Sequence, residues 1–161
     1  MSGGRPDWLP SLLQCSGEWP QVLESLYAVF KRDFIQGKLS WRGKRLWWDR
    51  RTLPGECFEE GFWHLISRID PLSKERIADY RRAERLCWCR PVIEHSEDPL
   101  IRCWDSTSEG KRIRSYLWLE PEDYVVVLEQ RARDVVFLIT AYHLDGESSR
   151  RKLRRSYENR L

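Results

Sequence analysis

The sequence lacks the markers of several large protein classes. No apolar run is long enough to span a membrane, and the first residues show no basic leader followed by an apolar core. It also has no P-loop, no dinucleotide-binding fingerprint, no His-Glu-x-x-His and no Gly-x-Ser-x-Gly. We therefore expect a cytoplasmic protein without a membrane-bound segment, and we do not expect nucleotide-driven chemistry or serine hydrolysis.

The cysteines show no regular spacing. The five cysteines are an odd number without the spacing of a disulfide framework, so they indicate reduced thiols. Cys87, Cys89, His95 and Cys103 carry metal-ligating atoms, but the Cys-x-Cys spacing and the long gaps match no common zinc site. We expect no metal and no cofactor, with zinc binding at this group as the less favoured alternative.

Charge is abundant but nearly balanced. The 28 Lys and Arg residues face 25 Asp and Glu residues within 161, so the net charge says little about partners. The basic residues nevertheless gather at 44–51, 81–90 and 150–155. Such clustering is typical of phosphate binding, although solvated surface is the commoner explanation of any single cluster. Nine tryptophans are more than a small core readily absorbs.

The strongest secondary-structure signal is a hairpin near the C-terminus. Residues 124–129 and 135–142 are rich in β-branched and aromatic residues and are separated by a polar turn. Pairing Glu129 with Asp134 places Val127 opposite Val136 and leaves one face of the hairpin continuously apolar. The other face ends in the hydroxyls of Thr140 and Tyr142, and it is the place where we expect a ligand.

The remaining pattern predicts helices first and strands later. Predicted helices cover 20–37, 73–86 and 147–161, and predicted strands cover 62–68, 86–93, 100–104 and 112–119, with a Trp-rich hairpin at 41–48. The fold class is α+β, with N-terminal helices packed on an antiparallel β-sheet and a C-terminal basic helix after it. We expect an N-terminal segment, 1–52, packed on the core, and an α+β domain at 53–161.

A set of side chains suited to metal-free RNA cleavage can be chosen from this pattern. The reaction needs a base for the 2′-hydroxyl, an acid for the leaving 5′-oxygen and donors around the phosphate. His64 shares a face of its predicted strand with Arg68. The guanidinium group of an arginine can donate two parallel hydrogen bonds to a phosphate. Thr140 and Tyr142 supply hydroxyl donors. Glu129 is a further proton-transfer candidate, with a solvated hairpin residue as the favoured interpretation.

Substrate contacts are expected from aromatic and basic residues. Trp63 and Trp104 are suited to stack on bases, and Arg154 and Arg155 to follow the backbone from the C-terminal helix. For a lone histidine such as His64, a structural role is the commoner outcome, and the same holds for any single arginine on a helix surface.

The layout resembles the metal-independent ribonucleases and toxins of the barnase, EndoU, colicin and RelE superfamily, in particular its phage and mobile-element branches. The matching features are Trp63-His64 with Arg68, the DYVVVLEQ and FLITAYHL strands, and the basic helix after them. The resemblance implies His64, Arg68 and Thr140 around the scissile phosphate, with Tyr142 beside them. A second histidine of the EndoU type and the barnase order of glutamate, arginine and histidine are absent, so the acid/base pair stays open.

Two functional interpretations follow. The leading one is a toxin-like endoribonuclease that cuts RNA, such as tRNA, by transesterification and is held in check by a cognate inhibitor or antitoxin protein. The alternative is a non-enzymatic nucleic-acid-binding or protein-interaction module of a phage or mobile element. Neither involves a membrane.

Overall fold

A computed structural model describes residues 5–108 and 110–161, and these residues have an α+β architecture. The helices are α1 (Trp19–Phe30), α2 (Glu60–Ile66), α3 (Tyr80–Glu84), α4 (Cys89–Glu94) and α5 (Glu147–Glu158). The strands are β1 (Ser40–Trp41), β2 (Lys44–Trp48), β3 (Ser67–Ile69), β4 (Arg76–Ala78), β5 (Ile101–Thr107), β6 (Ile113–Leu119), β7 (Tyr124–Ala132) and β8 (Val135–His143). Among the helices so described, none is both long and apolar enough to cross a bilayer.

The main sheet has six strands in the order β1-β2-β8-β7-β6-β5. Strands β2 and β8 run parallel and all other neighbours run antiparallel, so the sheet is mixed and the prediction of an antiparallel sheet is corrected. The sheet curls until its edges approach each other. Trp41 Nε1 beside the first edge donates to Ser96 Oγ at 3.0 Å, and Arg42 pairs with Asp105 of β5 at 3.2 Å. Strands β3 and β4 form a separate small sheet.

The predicted C-terminal hairpin is confirmed as β7 and β8, but its predicted register is wrong. Glu129 pairs with Phe137 rather than Asp134, and Val127 pairs with Thr140 rather than Val136. The ladder continues to Ala132 and Val135, so the turn is tighter than predicted, and two register shifts interrupt the pairing. A β-bulge changes which side chains share a face, and simple alternation along the strand cannot anticipate it.

The predicted strand at 62–68 is wrong over most of its length, because α2 covers Glu60–Ile66. Phe62, Leu65 and Ile66 are buried, and their spacing of three and four residues defines one face of a helix. His64 therefore lies on a helix, and only the end of the predicted segment enters β3.

Two further predictions between residues 73 and 93 are corrected. The predicted helix at 73–86 is a turn, then β4, then the short helix α3, which begins after Asp79. Asp79 Oδ1 accepts hydrogen bonds from the backbone N–H groups of Arg81 and Arg82, and this N-cap fixes where α3 starts. The predicted strand at 86–93 is a 3₁₀ turn followed by α4, whose residues Val92 and Ile93 are buried.

Apolar clusters cover both faces of the hairpin. The larger cluster joins the sheet to α1, α2 and α4, with Phe30, Phe62 and Leu128 at or near zero exposure. The smaller one joins Val125 and Val127 of β7 to Leu153 of α5. Since neighbouring residues of a strand point to opposite faces, the expected open face of the hairpin does not exist. The strand ends and edges of the hairpin are the places that these clusters leave for a ligand.

The N-terminal helix and the Trp-rich hairpin are confirmed. Helix α1 begins beside Pro20 and continues as a π-helical turn, Lys31–Gln36, that ends at Gly37. The β1–β2 hairpin turns at Arg42 and Gly43, whose φ angles of 50° and 75° suit a tight hairpin turn.

Candidate functional site

A cleft of about 740 Å³ opens where the start of α3 meets the junction between β8 and α5. Four side chains give it its chemistry: Arg68 from β3, Arg81 from α3, His143 from the end of β8 and Arg150 from α5. These residues come from four elements, so only the folded chain brings them together.

The lining of the cleft contains more guanidinium groups than carboxylates. Its lining holds three guanidiniums against the carboxylates of Asp79 and Asp145. Asp79 is already engaged, because it caps α3 and its Oδ2 lies 3.4 Å from Arg82 Nε. Asp145 pairs with Arg81 at 3.3 Å, while Arg68 is 3.8 Å from Asp79. The arginine side chains remain accessible enough to contact an anion.

The start of α5 adds to this field. Gly146 is the N-cap residue, with φ at 115°, and it lines the cleft. This left-handed conformation is open to glycine and strained for other residues. The first backbone N–H groups of a helix favour an anion, and the helix dipole acts in the same direction. Arg150 is fixed in the next turn by a 2.5 Å contact with Asp123.

His143 is the imidazole of the cleft. Its side chain is 16% exposed, and its Nδ1 lies 3.6 Å from Asp145 Oδ1, too long for a hydrogen bond. Burial lowers the pKa of His143, and the positive charge of Arg85 lowers it further. The ring is therefore neutral near pH 7 and can accept a proton.

Behind the cleft, Arg82 ties together three elements. Its Nη1 donates to the backbone carbonyls of Ser67 at 2.8 Å and His64 at 3.1 Å, and lies 3.3 Å from Thr140 Oγ1. Its guanidinium carbon is 5.8 Å from the centre of the Tyr142 ring. Burial lowers the pKa of Arg82. Three of the four residues predicted to be catalytic thus surround an arginine that we had placed only in a basic cluster.

The predicted catalytic residues meet only in part. Arg68 lines the cleft, but Thr140 uses its hydroxyl to donate to the carbonyl of His64 at 2.9 Å. Tyr142 packs with the apolar cluster under α5 and lines a smaller cavity beside Leu153. Burial raises the pKa of Tyr142 to about 12, so its hydroxyl is a donor at neutral pH.

The imidazole of His64 has a different setting from that of His143. It is not among the residues that line the cleft, and its Nε2 lies 4.0 Å from Glu60 Oε1 on the same helix. Arg76 holds Glu60 at 2.7 Å. Burial, and then the charge of Arg76, lower the pKa of His64. The ring is about one third exposed, so solvent can reach it.

The predicted substrate contacts are spread over the molecule. Trp104 is buried, stacks on Tyr116 and donates to Ser156 Oγ at 3.1 Å, so no ring face is open to a base. Trp63 is half-buried and donates to the carbonyl of Phe58. Arg154 and Arg155 are exposed on α5, and Arg154 pairs with Glu147.

Glu129 is buried, contrary to the favoured interpretation of a solvated hairpin residue. Arg112, Arg114 and Arg131 converge on its two carboxylate oxygens at 2.5 to 3.2 Å. Burial alone would raise the pKa of Glu129, but the hydrogen bonds from these arginines outweigh it and the pKa is lowered. Three positive charges around one carboxylate leave this end of the hairpin strongly basic.

No metal-binding group appears within residues 5–108 and 110–161. Cys87 instead contacts the backbone of Ser11, and the five cysteines are all free. No protein-family model matches the chain, and no curated protein or solved structure matches it either.

Sequence reasoning missed His143, Arg81, Arg82 and Arg150 as parts of one site. Signals for them existed. Gly146 between a strand and a basic helix indicates a strand-to-helix junction at which an anion can bind, and His143 directly precedes it. Asp79 is a good N-cap residue, so the arginines that follow it are expected in the first turn of a helix.

Proposed function

We propose that this chain binds RNA in the cleft and cleaves it by metal-independent transesterification. The observation that supports the proposal is the meeting of three guanidiniums, the start of α5 and a neutral imidazole in one cleft. A phosphodiester needs cationic donors around its non-bridging oxygens, and its cleavage needs a proton acceptor close by.

The chemistry follows from the positions of these groups. His143 takes the proton of the 2′-hydroxyl, and the 2′-oxygen bonds to phosphorus as the bond to the 5′-oxygen breaks. The imidazolium formed at His143 returns the proton to the 5′-oxygen, leaving a 2′,3′-cyclic phosphate and a 5′-hydroxyl. Arg68, Arg81 and Arg150 stabilise the negative charge that develops on the phosphate. His64, the base that the sequence favours, is the competing candidate for the same role.

Membership of the barnase, EndoU, colicin and RelE superfamily is part of this proposal. The order of elements supports it, because strands β5 to β8 follow helices α1 to α4 and the basic helix α5 comes directly after β8. The proposal includes a cytoplasmic location and a cognate inhibitor or antitoxin protein, because an unrestrained ribonuclease would damage the cell that makes it.

The test is cleavage of tRNA by the purified chain in EDTA, with identification of the product ends. We expect His143→Ala to slow cleavage by roughly 10²–10⁴-fold, the usual contribution of a general acid-base residue. Arg133→Gln, which removes an exposed charge at the hairpin turn, is the matched control and should cut at the wild-type rate. Wild-type cleavage by His143→Ala would contradict the role of His143, and the same result for His64→Ala would contradict the role that the sequence favours.

A binding function without chemistry is the second candidate, and the three arginines around Glu129 favour it. They lie near the hairpin turn, whereas the cleft lies at the opposite end of β8, so basic surface extends beyond one catalytic centre. This candidate predicts RNA binding that weakens steeply with salt and yields no product. Product formation in EDTA excludes it.

A further inference from the structure

The Trp-rich hairpin forms one wall of a second groove, which the cleft chemistry does not use. The groove has a volume of about 520 Å³ and lies between β1–β2 and the π-helical turn after α1. Its floor is apolar, because Phe34, Leu46 and Trp48 are buried there. Lys38, Arg45, Trp47 and Arg50 also line it.

Trp47 and its arginines form a stack. The guanidinium carbon of Arg50 lies 3.6 Å from the centre of a Trp47 ring, and that of Arg45 lies 4.8 Å away. Trp47 is only half-buried. Flat guanidinium and indole planes at this spacing are the surfaces on which unpaired bases stack in complexes of proteins with single-stranded nucleic acids.

The described lining of the groove is positively charged. Its described lining includes three cationic side chains, Lys38, Arg45 and Arg50, and no carboxylate. Its volume falls within the usual range for small-molecule sites. An apolar floor, a flat cationic and aromatic wall and unopposed positive charge suit a ligand that is planar on one side and anionic on the other.

We propose that this groove binds one nucleotide unit of a single-stranded nucleic acid. The base lies against the stack of Trp47 and Arg50, and the phosphate is held by Arg45 and Lys38. An acidic peptide would satisfy the cations but would leave the flat stack without a planar partner, so the nucleotide fits the groove better.

The groove is separate from the cleft. Trp48 of β2 pairs with Leu138 of β8, and His143 lies five residues further along that strand. At roughly 3.3 Å per residue, the two sites are on the order of 17 Å apart. The groove binds its nucleotide whether or not RNA is cleaved at the cleft, so the two proposals can fail separately.

The test is calorimetric titration of the full chain with AMP, adenosine and ribose 5-phosphate. We expect AMP to bind at least tenfold more tightly than either part alone. Arg45→Gln combined with Arg50→Gln should weaken AMP binding at least tenfold, and Trp47→Leu should remove the advantage of AMP over ribose 5-phosphate. Arg160→Gln, which removes an exposed charge at the end of the chain, should leave AMP binding unchanged.

Three outcomes would overturn the proposal. The first is equal binding of AMP and ribose 5-phosphate, which would show that no base is recognised. The second is wild-type affinity in the double arginine variant. The third is tighter binding of hexaglutamate than of AMP with loss of that binding in the same variant, which would identify the groove as an acidic-peptide site. Circular dichroism of each variant checks that the fold is retained.

Discussion

At the scale of single residues, Arg82 is the side chain behind the cleft that connects three elements of the described chain. It joins the end of α2, the start of β3 and the middle of β8 through contacts to His64, Ser67 and Thr140. Two of these acceptors are backbone carbonyls, so the contact does not depend on which side chains those positions carry. An arginine can reach all three because its donors form a fixed planar fork.

Replacing Arg82 should therefore destabilise the protein strongly. Arg82→Ala removes the donor to the Ser67 carbonyl and a largely buried cation beside Asp79, and removing one member of a buried ion pair typically costs about 3–5 kcal/mol. Arg81→Ala, at the exposed neighbouring position, should change the free energy of unfolding by less than about 1 kcal/mol. Urea unfolding of both variants measures the difference, and equal stabilities would show that the Arg82 contacts contribute little.

The lowered pKa values of two histidines lead to a prediction of how the stability of the protein depends on pH. Burial lowers the pKa of both His64 and His143 in the folded state. The unfolded chain then binds more protons than the folded chain just below the ordinary histidine pKa of about 6.5, so stability falls as the pH drops through that value.

Urea midpoints at pH 7.5 and pH 5.5 measure this effect. We expect a lower midpoint at pH 5.5 in the wild type and a smaller decrease in the double variant His64→Gln, His143→Gln. The same decrease in both proteins would attribute the acid sensitivity to other groups, the paired carboxylates among them.

At the scale of elements, local pattern identified the hairpins and failed for short helices. β7–β8, β1–β2 and α1 carry long or well-marked patterns, and the structure confirms them. The run at 62–68 fits two periods at once, because Phe62 and Ile66 belong both to an alternating row and to a helical face. Only packing against the sheet decides between them, and a short apolar run carries no information about that packing.

The sequence also predicted some residues of the candidate site and missed others. Arg68 was predicted as a phosphate contact and lines the cleft, whereas Thr140 was predicted from strand parity and instead contacts the backbone of α2. Thr140 pairs with Val127 and Tyr142 with Val125, so this part of the predicted face is correct, and the contact of Thr140 with α2 is what the strand pattern could not anticipate. His143 was visible as a histidine beside a strand end, but its neighbours in the cleft are distant in the chain.

Helix α2 packs closely on the end of β2 at Gly61, and a substitution there tests this contact. A Cβ atom at Gly61 would lie 2.7 Å from Trp48 Cδ1 and 3.0 Å from the carbonyl oxygen of Asp49. Inside a helix, alanine is normally more stabilising than glycine by about 0.5–1 kcal/mol. At position 61, the close contacts with Trp48 and Asp49 oppose that gain.

We expect Gly61→Ala to destabilise the protein by about 1–3 kcal/mol, the usual cost of overfilling a packed interface. Glu24→Ala on the exposed side of α1 should change stability by less than about 0.5 kcal/mol. Thermal unfolding at one pH compares the two variants. A more stable Gly61→Ala protein would mean that α2 can move away from β2 without loss.

At the scale of the whole molecule, the parallel pairing of β2 with β8 decides the architecture. It places the N-terminal hairpin beside β8, one strand of the C-terminal hairpin, with Leu46 opposite Val136. No local pattern predicts a pairing between segments at opposite ends of the sequence, which is why an antiparallel sheet was expected. The same pairing joins β2, which lines the groove, to β8, whose end lines the cleft.

The pairing also bears on the predicted division into residues 1–52 and 53–161, which stays a prediction. Phe30, Leu46 and Trp48 from the first segment belong to the same apolar cluster as Phe62, Leu128 and Leu138 from the second. Removing residues 1–52 would expose Phe62, Leu128 and Leu138 to water. It would also expose the edge of β8 that pairs with β2. An uncovered apolar strand edge invites aggregation.

We therefore expect residues 53–161 alone to show no cooperative unfolding and to aggregate. The full chain should unfold in one transition, with coincident curves from tryptophan fluorescence and far-ultraviolet circular dichroism. A chain of residues 19–161, which lacks only the arm before α1, is the matched control and should keep a cooperative transition at a lower urea midpoint, because it loses buried Leu9 and the Trp8–His95 stack. A cooperative transition in 53–161 would show that the C-terminal part is an independent domain and that the β2–β8 pairing adds to a fold already complete without it.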